Sequence, residues 1–317
     1  MIRTVLGDID VADLGVCYAH EHIIIDPSVA TLRCGGIELP SVENGIEELK
    51  RFHAAGGRTM VDSMPCDAGR NIEKLAAVSR GSGVNILCPT GLHLSKYYDP
   101  SHWGGRYDVD QLTRLFIADI EEGIDRFDYS GPIIERTPHK AGLIKVATEA
   151  PVLTARAGRI FEAAAHAQLA TGVAILTHTE MGEGALEQVE ALTRHGVPAG
   201  RIVLSHTDRK PDPVYHHEIL STGVRVEYDS AFRWKTEENP TLDLLERFMP
   251  EFPDQIMLGM DAARATYWVS YGGSPGLDFL LTTFTERMKE RGLGDDAWQR
   301  IFLSTPAAAY DRKPTTS

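Results

Sequence analysis

His20-Glu21-His22, Lys145, His178, His206 and Asp261 are the residues whose types and spacing could carry chemistry. Each sits at the end of a short apolar run: Lys145 in Ile144-Lys145-Val146, His178 in Thr177-His178-Thr179-Glu180, His206 in Ser205-His206-Thr207-Asp208, and Asp261 in Gly259-Met260-Asp261. In an extended strand residues i and i+2 point the same way, so His20 and His22 can turn their imidazoles to a common side. Imidazole nitrogens and carboxylate oxygens are the donors that zinc and its neighbours take. One histidine at a strand end is usually a hydrogen-bonded structural group or a surface residue. Four histidines, a lysine and an aspartate at five strand ends are another matter, because packing alone would have to satisfy each of them in a crowded polar centre. Taken singly, Lys145 reads as a surface lysine or as the ionic partner of Asp261.

Bringing these groups together requires strands. Apolar runs rich in β-branched residues span 16–25, 58–63, 84–90, 142–147, 173–177, 201–205, 224–229 and 255–259. Most lack strict alternation, as strands do when both faces are covered. Between them, Ile46-Leu49-Phe52-His53, Leu112-Leu115-Phe116-Asp119 and Ile160-Ala163-Ala164-Ala167 follow the i, i+3, i+4, i+7 spacing of a helix. Eight strand-then-helix units without a linker predict an α/β chain, one (β/α)₈ TIM barrel spanning 1–317 rather than an open doubly wound sheet. The C-terminal ends of barrel strands form the catalytic face, which is where the candidates fall. Long connections at 92–110 and 264–276 are expected to wall the pocket. The tail 311–317 is expected to fray, and His216-His217 to lie on a solvated helix face.

With 45 acidic against 32 basic side chains among 317 residues, the chain carries a formal charge of −13. Such a surface repels nucleic acid and anionic membranes, which are bound through clustered Lys and Arg. A composition 43% hydrophobic and 24% charged is that of a folded globule. No apolar run nears the roughly 18 residues of a membrane span, and Asp8 interrupts any export signal, so the expected location is the cytoplasm. There Cys17, Cys34, Cys66 and Cys88, with no C-x-x-C pair, are expected as buried thiols.

From Thr4-Val5-Leu6-Gly7 through Leu14-Gly15 and His20-Glu21-His22 to Gly259-Met260-Asp261, the sequence resembles the phosphotriesterase family of the amidohydrolase superfamily. The resemblance implies a binuclear metal centre, with His20, His22 and Asp261 on one divalent cation and His178 and His206 on the other. Carboxylated Lys145 and a hydroxide would bridge the pair. Zinc suits mixed imidazole and oxygen donors best, with manganese or cobalt as substitutes. A protonated lysine would repel two dications, whereas its carbamate offers two anionic oxygens. The cations would acidify water for attack on a carbonyl or phosphoryl centre, and Asp261, the catalytic residue, would accept its proton.

Several residues near the strand ends could then contact substrate. Arg264 could grip a carboxylate, a phosphate or sugar hydroxyls, or else pair with Asp229. Asp208 and Arg209 could touch substrate or orient His206 from behind, or else form an ordinary loop ion pair. His93 and Tyr98 could border the pocket, while Trp268 and Tyr271 could stack on a sugar ring or serve as lid or core plug. Family members that cleave organophosphates use a histidine after the seventh strand, and 226–230 offers none. The expected function is hydrolysis of a small polar ester or lactone, a sugar lactone or acylated sugar, with phosphotriester cleavage on the same centre as the alternative. A binding scaffold that had lost catalysis would lack a ligand, and all six are present. The resemblance also suggests a homodimer acting on a small molecule.

Overall fold

The computed structural model describes residues 1–149, 151, 153–234 and 238–313. The eight expected strands are Cys17–Glu21, Thr59–Asp62, a third in two pieces at Asn85–Leu87 and Pro89–Gly91, Leu143–Thr148, Ala174–Thr179, Ile202–Ser205, Arg225–Tyr228 and Ile256–Leu258. Neighbours pair in parallel and in sequence order. The break at Cys88 lets one piece of the third strand pair back to the second, with Asn85 opposite Thr59, and the other forward to the fourth, with Gly91 opposite Lys145. The circle closes where the Met260 and Asp261 N–H groups donate to the His20 carbonyl at 3.1 and 3.2 Å. This is the predicted (β/α)₈ barrel.

The outer layer follows from local signals. Helices Val42–Ala54, Val109–Glu121 and Ala155–Thr171 bury the faces expected of them, Leu49 with Phe52, Leu112 with Phe116, and Ile160 with Ala163, Ala164 and Ala167. Ser41, Asp108 and Thr154 cap these helices, each accepting the N–H three residues on, a bond that stabilises a helix start by about 1 kcal/mol.

Inside the barrel lies a separate apolar plug of Cys17, Ala19, Val61, Leu87, Leu143, Ala174, Leu176, Val203 and Met257, closed from below by Ile2, Leu14 and Tyr310. Side chains along a strand alternate, so the residues two positions further on face the same interior one layer higher. These are Lys145 after Leu143, His178 after Leu176 and Ser205 after Val203. A dry floor thus lies directly beneath the polar strand ends. Gly259, which follows Met257 in that register, admits no side chain, since a Cβ there would fall 2.5 Å from the His20 carbonyl oxygen.

Three details depart from expectation. Residues 311–313 are anchored, because the Met1 ammonium meets Asp311 Oδ1 at 2.9 Å and Arg312 donates to the Thr171 carbonyl at 2.7 Å. Residues 314–317 of that tail lie outside the described residues. Cys17, Cys66 and Cys88 are buried thiols as expected, whereas Cys34, at the end of a short helix in the first loop, is partly exposed. The connection between helix Val109–Glu121 and strand Leu143–Thr148 is a further long loop. Among the described residues no helix is long and apolar enough to cross a membrane.

Candidate active site

The first strand delivers His20 and His22 to the same place as Asp261. Nε2 of His22 lies 3.0 Å and Nε2 of His20 lies 3.6 Å from Asp261 Oδ1. His206 lies between His20 and His178, with ring centroids 4.8 and 4.6 Å away at interplanar angles of 53° and 73°. These five residues line a cavity of about 450 Å³. Lys145 is buried, and its charge acts on both His20 and His178. It is neither a surface lysine nor the ionic partner of Asp261, for its Nζ has no hydrogen-bond partner. Burial pushes the Lys145 amine down to about 8 and the His206 imidazole down to about 3, with His20 and His178 lowered for the same reason. Neutral imidazoles keep a lone pair free, which is what a cation needs.

Buried carboxylates hold the strand tips in this arrangement. Glu21 accepts the N–H of Met260 at 2.8 Å and of Ala262 at 3.3 Å, gripping the backbone on both sides of Asp261, whose φ is 48°. Asp62 accepts from Ile23 at 2.8 Å and Met64 at 3.0 Å. Asp229 takes the His206 N–H at 3.1 Å and also engages its Nδ1, fixing a residue whose φ is 66°. A left-handed backbone at a side-chain-bearing residue costs about 1–2 kcal/mol, and these bonds offset it. The second oxygen of Asp261 receives Arg209 and Arg233, the latter at 3.1 Å. Burial acts to raise the Asp261 pKa, but the His22 contact and the Arg209 charge outweigh it and hold the carboxyl well below the usual range.

The structure redistributes the residues expected around the substrate. His93 lines the cavity, its ring 5.0 Å from His178 and 4.3 Å from Tyr97. Arg209 and Arg264 line it too. Arg264 does not pair with Asp229, which is already engaged by His206 and Arg209, and reaches instead the Gly35 carbonyl at 3.3 Å. Asp208 is fully buried and accepts the Ser230 N–H at 2.9 Å and the Thr241 hydroxyl at 2.7 Å, so of its expected roles the geometry favours support: it positions the seventh strand end, from which Asp229 engages His206, and does not line the cavity. Burial pushes it up to about 6. Tyr98 is likewise withdrawn, donating to the Cys66 carbonyl at 3.0 Å and accepting the His93 N–H at 2.8 Å. Trp268 is a core plug whose Nε1 donates to the Ala262 carbonyl at 2.9 Å. Tyr271 accepts the Ser41 N–H at 3.2 Å and faces a separate shallow depression with Ala265 and Ser274.

His216 is a correction, being buried where a solvated face was expected, while His217 is exposed. Its Nδ1 accepts from the Tyr228 hydroxyl at 2.9 Å and its Nε2 donates to the Thr207 and Lys210 carbonyls, each at 3.1 Å. The neutral ring satisfies both nitrogens, and burial pushes the pKa down to about 4. The unfolded chain therefore binds the proton first as pH falls. Stability from this residue is complete above pH 6.5 and is lost between about 6.5 and 4, at up to about 1.4 kcal/mol per unit. Urea midpoints measured across that window should fall more steeply for the wild type than for His216→Gln, and parallel profiles would refute the assignment.

Other contributors carried little signal in the sequence. Glu48 sits on a buried helix face and accepts the N–H of Ser270 at 2.8 Å and of Leu277 at 2.9 Å, pinning the loop that follows Arg264. Arg233 lines the cavity from a loop and Tyr97 and Tyr267 from single 3₁₀ turns, Ser95–Tyr97 and Ala265–Tyr267, too short for a periodicity to point them inward. Glu227 ends an apolar run, and its Oε2 lies 3.2 Å from His20 Nδ1, which instead bonds the Ser205 hydroxyl at 3.0 Å.

Comparison with known proteins agrees with this geometry. Residues 1–310 match the family model described as the phosphotriesterase family. A phospho-furanose lactonase of Mycoplasmopsis synoviae (strain 53) is 31% identical over 325 residues, covering 98% of this chain and 92% of that protein. The crystal structure of an amidohydrolase from Mycoplasma synoviae superposes with a TM-score of 0.93 at 29% identity, covering 99% of this chain and 94% of the other. A lactonase from Listeria monocytogenes gives 0.89 at 28% identity, covering 98% and 99%.

Proposed function

The chain belongs to the phosphotriesterase family, whose members generally use a binuclear metal centre, and from that premise we propose that it hydrolyses a small anionic sugar lactone. The donors fit such a centre. Lys145 Nζ, His22 Nδ1 and both Glu227 oxygens are buried without a hydrogen-bond partner, and His20, His22 and Asp261 present donor atoms within 4.8 Å of one another. In this reading His20, His22 and Asp261 would hold one divalent cation and His178 and His206 the other, with carboxylated Lys145 supplying anionic oxygens to the centre. When bound, the cations, zinc first with manganese or cobalt as substitutes, lower the pKa of water and polarise the lactone carbonyl.

The remaining steps belong to the chain itself. Burial leaves a fraction of Lys145 neutral near pH 8, and that lone pair adds to CO₂, forming the N–C bond while Nζ releases a proton to solvent. Asp261 stays ionised, so it can take the proton of the attacking water and, binding it weakly, pass it to the departing ring oxygen. Arg209 and Arg233 fix the orientation of that carboxylate. Arg264, which has no carboxylate partner among the described residues, is left to meet an anionic substituent at the mouth.

The buried, unpartnered amine of Lys145 among neutral imidazoles carries this reading. It is tested by assaying the metal-loaded enzyme on a phosphorylated sugar γ-lactone, its neutral counterpart and paraoxon. Turnover of lactones with negligible paraoxon cleavage is expected, and rapid paraoxon cleavage without lactone turnover would replace the reading with phosphotriester hydrolysis. Arg264→Ala should raise KM for the phosphorylated lactone about 10- to 100-fold, the loss of about 1.5–3 kcal/mol typical of a bond to a charged group. The neutral lactone should be unaffected, and equal losses on both substrates would exclude the role.

A further inference from the structure

We propose that Glu162, His166 and His195 form a surface site for a borderline transition dication of the zinc class, tying together two outer helices of the barrel. The site is separate from the barrel mouth. Glu162 and His166 stand one turn apart on helix Ala155–Thr171, at the i, i+4 spacing that stacks side chains on one face. His195 comes from the neighbouring helix, Ala185–Arg194, as the residue that ends it.

The backbone presenting His195 is fixed. Gly196 adopts a φ of 91° and donates to the Thr193 carbonyl at 2.9 Å, while the Val197 N–H returns to the Leu192 carbonyl at 3.2 Å. A Cβ at Gly196 would lie 3.7 Å from Leu169, so this turn packs directly on the helix that carries the other two groups. The result brings one carboxylate oxygen and two imidazole nitrogens within 4.8 Å of one another, with the His166 and His195 rings perpendicular and their centroids 6.1 Å apart.

None of the three side chains has a hydrogen-bond or ion-pair partner elsewhere among the described residues. A carboxylate facing two imidazoles, with its neighbours Arg159 and Arg194 turned to the Gly105 carbonyl and to Glu190, is a set of lone pairs that a cation relieves. Two imidazoles and one carboxylate favour zinc, copper or nickel over magnesium or calcium, which prefer all-oxygen shells. Metal–donor bonds near 2.1 Å require the three groups to draw in by about an ångström, which rotamer adjustment at a partly exposed site allows, and water completes the shell.

The test compares wild-type holoenzyme with His166→Ala/His195→Ala by equilibrium dialysis against buffered free zinc, followed by metal analysis. The wild type should bind one more equivalent of zinc than the variant, both should hydrolyse lactone equally, and magnesium should not reproduce the difference. Thermal midpoints should rise with zinc in the wild type more than in the variant. In the unmutated protein, zinc should also protect His166 and His195 from diethyl pyrocarbonate. Equal zinc content in the two proteins, or modification of both histidines at the same rate with and without zinc, would overturn the site.

Discussion

Lys145→Met is expected to abolish hydrolysis while making the metal-stripped protein more stable. The two effects have one cause. In the folded chain the amine sits above an apolar plug with no hydrogen-bond partner, and leaving a buried polar group unpaired costs about 1–3 kcal/mol. Methionine keeps most of the aliphatic stem and removes that cost, so the urea midpoint of the stripped variant should rise. The same change removes the only atom at this position that can become a carbamate. Without an anion there, the site would lack the negative charge that two dications need, and kcat/KM should fall by at least about 10³-fold, as when a principal electrostatic group is lost. A structural lysine would behave in the opposite way, its loss lowering stability and sparing turnover. Stability unchanged or lowered together with near-normal kcat/KM would remove Lys145 from the site.

Lys145 was legible in the sequence for the same reason that it is exposed to this test. It occupies an inward register of a strand otherwise filled with apolar residues, and the period of two fixes its direction once the strand is granted. The same argument located His178 and Asp261 at strand ends. It fails in irregular segments, which have no period. Trp268 and Tyr98, aromatic residues in loops, became plugs and struts because the space over the helices needed filling, and nothing local distinguishes that from a sugar platform. Asp208 stayed divided between substrate contact and support of His206 because a polar residue beyond a strand end looks the same in both roles, and the partners that separate them, Ser230 and Thr241, are remote in sequence. His216 was readable after all. It shares the i, i+3, i+4 face with Ile219 and Leu220, so helical spacing already placed it inward. Glu21 shows the limit of the strand argument. Cys17 and Ala19 face the interior, so strict alternation would turn His20 and His22 away from it; a register shift between Tyr18 and Glu21 breaks the period of two there, and the partners of Glu21, the N–H groups of Met260 and Ala262, are met only where the barrel closes.

Asp261→Asn should lower kcat by about 10²- to 10⁴-fold, the range carried by a positioned general acid or base. The surroundings determine how the amide must sit. Oδ2 faces Arg209 and Arg233, so an NH₂ group on that side would meet two guanidinium groups, and the amide oxygen therefore takes the place of Oδ2 and accepts from both. That orientation turns the NH₂ toward Nε2 of His22 and His20, where the carboxylate offers a lone pair. The variant thus loses both a proton acceptor and an oxygen donor, and metal content should fall alongside turnover. Folding should suffer less. Arg209 keeps Asp229 at 2.9 Å, Arg233 keeps the Asp261 carbonyl at 2.7 Å, and Glu21 still grips the flanking N–H groups. Metal supplied in excess separates the two losses: it should restore occupancy and leave kcat depressed, because an amide cannot accept the proton. Full recovery of kcat under saturating metal would show that Asp261 only binds the cation and that the proton goes elsewhere.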